Sequence, residues 1–361
     1  MRFDRLLARV SPAAALSRAI RLQVKWGLAL LDGRHVEQDV VAGESWLRRA
    51  ALAGDARAAT LVGNLYVQSG PLPPNYAEAA NWYRRAAEAG EGSAARALGS
   101  LYLTGAGVAQ DDQEAARWLR LSAEAGDHSA RADLGNLLLK GAGDPSDSAK
   151  VAGWFEDAAS AGDLIAAFNL GVCLIKGLGR DQDEQKAAQW LRRAAAGVGE
   201  AQYIYGRMLA EGRGVPSDLP EGRQWFSRAA DAGVVDAQVA LAEMMVNGRG
   251  GPADPAAALE LFGKAAGKGH SGAMFALGAM HAGGHNLPVD RTASQRWFRA
   301  AAELGHGHAQ LMLGRYLANG AAGERNVGEA RLWLERALAQ GVSEAESDLM
   351  QLDEPLGSLS R

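Results

Sequence analysis

The chain has 361 residues, 48% hydrophobic and 22% charged, with a formal net charge of −4. That mixture supports a buried core. It gives no reason for nucleic acid or an acidic membrane surface as the main partner. One cysteine, Cys173, excludes a disulfide framework and fits a reducing compartment, so the expectation is a soluble, cytoplasmic protein.

The chain opens MRFDRLLARVSPAAALSRAIRL. Asp4, Arg5, Arg9 and Arg18 interrupt every apolar run, whereas a secretory signal needs roughly 7 to 15 uninterrupted apolar residues. No segment reaches the roughly 20 apolar residues of a membrane span. Residues 1–18 read as an amphipathic cap or extension, with Ser11-Pro12 capping and starting the helix that follows.

From residue 19 two motifs alternate. One brings back a Trp at Trp46, Trp82, Trp118, Trp154, Trp190, Trp225, Trp297 and Trp333, with Leu261 in the same slot. The step is 36 residues, except for 35 between Trp190 and Trp225. The other is an apolar residue followed by Gly: "KWGLAL" at 25, "LVGNLY" at 61, "ALGSLY" at 97, and so on to "MLGRYL" at 312. Nine repeats follow: 19–54, 55–90, 91–126, 127–162, 163–197, 198–233, 234–269, 270–305 and 306–341. Residues 342–361 form a capping segment and tail that start a tenth repeat and stop.

Each repeat reads as two helices. Apolar positions at i, i+4 and i+8 mark one face of the first helix. That helix is expected to stop at Gly33, Gly70, Gly105, Gly141, Gly177, Gly212, Gly248, Gly284 or Gly320, since glycine tolerates the left-handed backbone there. The second helix starts after Asp39, Asn75, Asp111, Asp147, Asp183, Asp218, Asp254, Asp290 or Asn326, always seven residues before the Trp slot. Asp and Asn accept hydrogen bonds from the free N–H groups of a first turn, which predicts an N-cap in all nine repeats. The shortened ending of repeat five, at Gly197, predicts a local change in stacking.

"ARALGSLYLTGAGVAQDDQEAARWLRLSAEAG" resembles the Sel1-like repeat, a relative of the tetratricopeptide repeat, nearly throughout, and nine copies in phase carry the resemblance. Repeat 2 departs with "SGPLPPN" and repeat 8 with "GGHNLPVD"; repeat 7 lacks the Trp and has Ala242 for the Gly. The implied fold is all-α, a right-handed α-solenoid of helix-turn-helix repeats stacked as an α/α superhelix. The implied roles are protein-binding ones in bacterial signalling, secretion, envelope assembly or quality control.

The Trp series reads as core, so Trp154→Ala is expected to cost about 3 to 5 kcal/mol. Cys173 reads as a small buried hydrophobe. His281 and His285 have the i, i+4 spacing of a metal pair, but His281 takes an apolar slot and no thiolate supports it, so no metal or other cofactor is expected. Arg48-Arg49, Arg84-Arg85 and Arg192-Arg193 read as a solvated outer face. No catalytic cluster breaks the repeat, so the chain reads as a non-enzymatic scaffold or adaptor, a monomer or weak oligomer.

By the resemblance, first helices line a concave groove. Its inward positions lie two before, two after and five after the apolar residue of the apolar-Gly pair. Early repeats place Thr60, Asn64, Arg96, Ser100 and Asn136 there. Later ones place Phe168, Val172, Ile175, Tyr203, Arg207, Val239, Glu243, Val246 and Phe275 there, the candidate site for a peptide or protein segment. The competing reading is a protein associated with cell-envelope polysaccharide or peptidoglycan.

Overall fold

The computed structural model of the protein describes residues 12–33, 35–68 and 72–353. Among these are nineteen α-helices, two short 3-10 turns and no strand. The chain divides into two compact bodies, residues 1–182 and 183–361. The first holds four helix pairs and one further helix: α1 (Pro12–Asp32) with α2 (Val40–Leu52), α3 (Ala56–Val67) with α4 (Tyr76–Glu88), α5 (Gly92–Thr104) with α6 (Asp112–Glu124), α7 (His128–Leu139) with α8 (Ser148–Ser160), then α9 (Leu164–Lys176). The second opens with α10 (Glu184–Ala194) and continues as α11 (Gly199–Glu211) with α12 (Leu219–Asp231), α13 (Val235–Val246) with α14 (Pro255–Gly267), α15 (Ser271–His281) with α16 (Arg291–Glu303), α17 (Gly307–Asn319) with α18 (Val327–Ala339), and α19 (Glu344–Asp353). Within each body the helices stack in chain order, an α-solenoid of helix-turn-helix repeats. α1 begins at Pro12 and runs unbroken through residue 18; Ser11 and Gly70 lie outside the described residues.

Eight of the nine expected caps form. The side chains of Asp39, Asn75, Asp111, Asp183, Asp218, Asp254, Asp290 and Asn326 each accept from a first-turn N–H. Asp147 does not. It ends a 3-10 turn, Pro145–Asp147, in a helical backbone conformation, and its carboxylate meets Arg120 at 2.7 Å instead. Gly284 is likewise not a helix stop: Gly283 takes the left-handed conformation (φ 102°), and Gly284 opens a second 3-10 turn. In repeat five, α10 ends at Ala194, the turn closes with Val198 N–H on Ala194 C=O (2.9 Å), and α11 starts without a side-chain cap.

The residue that fills each repeat is the one after the Trp slot. Leu47, Tyr83, Leu119, Phe155, Leu191, Phe226, Phe262, Phe298 and Leu334 are all buried, none more than 4% exposed. In most repeats this side chain lies on the glycine of the apolar-Gly pair. A Cβ at Gly99 would sit 2.9 Å from Leu119 Cγ, and one at Gly278 2.5 Å from Phe298 Cδ1. The absent side chain is thus what lets the two helices of a pair approach this closely. The Trp rings are less deep than the sequence implies. Trp82, Trp118 and Trp333 are buried, while Trp46, Trp154, Trp190, Trp225 and Trp297 are half-buried. Two adjacent helix positions point about 100° apart, so only one can face the glycine; in those five repeats the Trp is left at the rim.

Successive repeats are latched by a second glycine in the loop. Gly107, Gly179, Gly214 and Gly250 have φ of 67° to 71°, and a Cβ on any of them would collide with backbone in the first turn of the preceding repeat's second helix, at Tyr76, Ser148, Glu184 and Leu219.

Replacing Phe155 by Ala should lower stability by about 3 to 5 kcal/mol, with a smaller loss for Trp154→Ala at the rim. Urea unfolding of both variants, followed by circular dichroism, checks that order; equal losses would contradict it.

Candidate functional site

The first helices of neighbouring repeats are tied side by side within each body. Arg96 on α5 meets Asp133 on α7 at 3.1 Å, Lys176 Nζ donates to Leu139 C=O on α7 (2.8 Å), and Arg315 on α17 meets Asp348 on α19 at 2.6 Å. Of the helices that carry candidate site residues, these links reach α9, through Lys176.

Phe168, Val172 and Ile175 are half-buried on one face of α9, in the first body. The other six lie in the second body. Arg207 on α11 and Glu243 on α13 are exposed, while Tyr203, Val239, Val246 and Phe275 are half-buried. The apolar members do two jobs. The Tyr203 ring lies 5.8 Å from Phe226, Val239 and Val246 pack on the core of repeats seven and eight, and Phe275 lies 5.7 Å from Phe298. Arg207 sits 5.8 Å from the Tyr203 ring centroid and pairs with Glu211 at 3.3 Å. In the early repeats, Asn64 accepts from the Tyr83 hydroxyl (2.8 Å) and Thr60 donates to Ala56 C=O (3.0 Å), so those groups are already engaged. Ser100 and Asn136 are exposed.

The outer arginines are less free than a solvated stripe. Arg48 donates to the Tyr66 hydroxyl (3.0 Å) and Glu78 (3.1 Å), Arg84 to the Tyr102 hydroxyl (2.9 Å), and Arg120 to Asp147, each reaching into the next repeat. A pair as exposed as Arg48–Glu78 is worth about 0 to 1 kcal/mol, so it sets register more than stability. Arginines also lie over the rings of Trp46, Trp82, Trp118, Trp154, Trp190, Trp225 and Trp333 at 4.5 to 5.2 Å. One face of each of those rings is therefore taken. Beside Trp154 a cleft of about 340 Å³ opens, lined also by Arg131, His128, Asp157, Asp163 and Ile165; the sequence carried no signal for it.

Cys173 is buried, and burial pushes its thiol up to about 11, which leaves it protonated and unreactive at neutral pH. Among the described residues no group of three or more His, Cys, Asp or Glu is placed to hold a metal ion. His281 ends α15, and His285 sits in the 3-10 turn with φ 58°. His270 and His306 have a different task. Each caps a first helix through Nδ1, which accepts from Ala273 N–H (3.0 Å) and Ala309 N–H (3.2 Å). Elsewhere Asp55, Asp127 and Asp163 do this work.

Stacked helix pairs, most with a glycine-seated large residue and four latched to the repeat before by a loop glycine, define a helical-repeat protein, a class that commonly mediates protein–protein interaction. A family model described as the Sel1 repeat matches residues 21–55, 56–91, 92–127, 128–163, 164–197, 199–234, 235–270, 271–306 and 307–342. The chain belongs to the Sel1 repeat family, whose members are generally non-catalytic scaffolds. Among solved structures it is similar to a Sel1 repeat protein from Oxalobacter formigenes, at 32% identity and a TM-score of 0.67, over 86% of this chain and 90% of that one. It is also similar to c5321, a protective antigen of uropathogenic Escherichia coli strains displaying the same repeat fold, at 28% identity and a TM-score of 0.57, over 94% of this chain and 80% of that one. No curated protein matches the chain. Among the described residues no helix is long and apolar enough to cross a membrane.

His306 stacks on Phe275 with ring centroids 4.8 Å apart, and burial, then the neighbouring His308 and His270, hold its pKa below the ordinary imidazole value. The folded state therefore favours neutral His306, while the unfolded chain takes up a proton near about 6.5. Its contribution to stability is complete above that pH and is lost as pH falls through the lowered folded value. His306→Asp keeps a capping acceptor and should flatten that part of the profile. Urea midpoints measured between about pH 7.5 and 5.5 test it, and an unchanged slope would rule it out.

Proposed function

We propose that the chain is a non-enzymatic scaffold that holds a peptide or protein segment against the first-helix face of its repeats, in the second body at Tyr203, Arg207, Val239, Glu243, Val246 and Phe275; Phe168, Val172 and Ile175 give α9 of the first body an apolar face of its own. The observation that carries the reading is the state of this face on α11 and α13. Its charged members, Arg207 and Glu243, stay exposed, while Tyr203, Val239 and Val246 beside them are only half-covered. Apolar anchors with exposed charges of both signs among them suit an extended or helical segment better than a flat polar ligand. The polysaccharide alternative asks for open aromatic faces, and seven of the Trp rings already carry an arginine on one side.

Because Tyr203 and Phe275 also pack in the core, the exposed charges are the better probes. The double variant Arg207→Glu, Glu243→Lys should keep the wild-type helical signal and melting curve while losing at least about tenfold in affinity for captured partners. Affinity capture from native lysate with the variant as control measures this. Undiminished capture would reject the face.

A further inference from the structure

The two ends of the repeat array present faces that interior repeats bury. In α1, Trp26 holds the apolar slot that Val62, Leu98, Leu134 and Leu170 fill in the next four repeats. Those four are at most 2% exposed, whereas Trp26 is 50% exposed. Ala15, Ala19, Leu22 and Trp26 follow one another at helical spacing, and Leu16 and Leu22 are also more than half exposed. Arg18, Arg21 and Lys25, all exposed, border this stripe.

At the other end, Met350 on α19 stands 36 residues after Gly314, in the slot where most interior first helices have the glycine that seats the second helix. α19 has no second helix among the described residues, and Met350 is 62% exposed. α19 carries four carboxylates, Glu344, Glu346, Asp348 and Asp353, and no Lys or Arg. Arg315 engages Asp348, while Glu344 and Glu346 are exposed. Leu349 and Leu352 turn inward onto the core formed with Leu311, Leu334 and Ala337.

We propose that these faces join head to tail between two copies of this chain, α1 of one copy against α19 of the next. In each, the open face is the one that an interior repeat covers with a second helix, so each end helix stands in for a helix that the other does not have among the described residues. Charge selects this arrangement over a symmetric one. Joining two α1 faces sets Arg18, Arg21 and Lys25 against the same three cations, and joining two α19 faces sets carboxylates against carboxylates. Only the unlike pairing brings opposite charges together around an apolar centre. The contact is distinct from the first-helix face proposed for partner binding and stands whether or not that reading holds.

Sedimentation equilibrium of the full chain at low salt tests the proposal. The weight-average mass should rise above the single-chain value with concentration across the micromolar range, and added salt should reverse the rise. Trp26→Glu and Met350→Lys alter exposed side chains, and circular dichroism verifies that each variant is folded. Each should be monomeric alone, because each lacks one of the two faces. A mixture of the two should recover association and stop at a one-to-one dimer, since each variant keeps the face the other lost. Three results overturn the proposal: a wild-type chain monomeric at every concentration, a Met350→Lys variant that still dimerises alone, or a mixture that stays monomeric. An anionic-lipid surface would be the occupant instead if the wild type stayed monomeric and bound phosphatidylglycerol vesicles in a way that Trp26→Glu abolished.

Discussion

The close approach of two helices at a bare glycine organises the rest of this protein. With no Cβ at Gly63, Gly99, Gly278 or Gly314, the second helix can seat Tyr83, Leu119, Phe298 or Leu334 directly on the first helix. That contact fixes which side of each helix is left over. The first helix also receives the second helix of the preceding repeat, the Trp is displaced to the rim in five repeats, and the remaining face stays partly open. Small residues such as Ala50, Ala86, Ala123, Ala229 and Ala301, all fully buried, extend the close packing along the second helices. Stability in such an array comes from many near-identical contacts between neighbours rather than from one central core.

Much of this was legible in the sequence, because a 36-residue period repeats every local decision. The period, the helix pairs, most caps and most glycine stops could be read directly. Where the structure departs from that pattern, a tertiary contact or an adjacent residue overrides the local signal. Asp147 has a capping residue's identity and position, but Arg120 reaches it from the preceding repeat and holds its carboxylate. Gly284 sits at the stop position, but Gly283 before it takes the left-handed turn. The Trp slot drew attention because Trp is rare and conspicuous, while the smaller residue beside it does the filling. Which of two adjacent apolar positions faces a glycine on another helix depends on the rotation of the pair, which periodicity alone leaves open.

The candidate site shows the same division. Offsets from the apolar-Gly pair placed nine residues on first helices, and in each body other first helices are cross-linked side by side, by Arg96–Asp133 and by Arg315–Asp348. Their depth was not legible. Tyr203, Val239, Val246 and Phe275 take part in inter-helix packing as well as bordering the open face, because a large apolar side chain on a solenoid covers whatever neighbour it can reach. The histidine caps were hidden for a different reason. His270 and His306 stand where Asp serves elsewhere, and an imidazole accepts a hydrogen bond only through an unprotonated nitrogen.

The second loop glycine also bears on how this array tolerates change. In repeats three, five, six and seven it is wedged against the first turn of the neighbour behind, so loop length there is tied to the spacing between repeats. Inserted sequence at those loops would have to pry two repeats apart. The loop of repeat eight, which passes through the Gly284–Asn286 turn, has no glycine latched in that way. Like the loops of repeats four and nine, where no glycine is wedged against the repeat before, it leaves room for an extra segment, acquired by evolution or grafted in the laboratory, with the least effect on the pitch of the array.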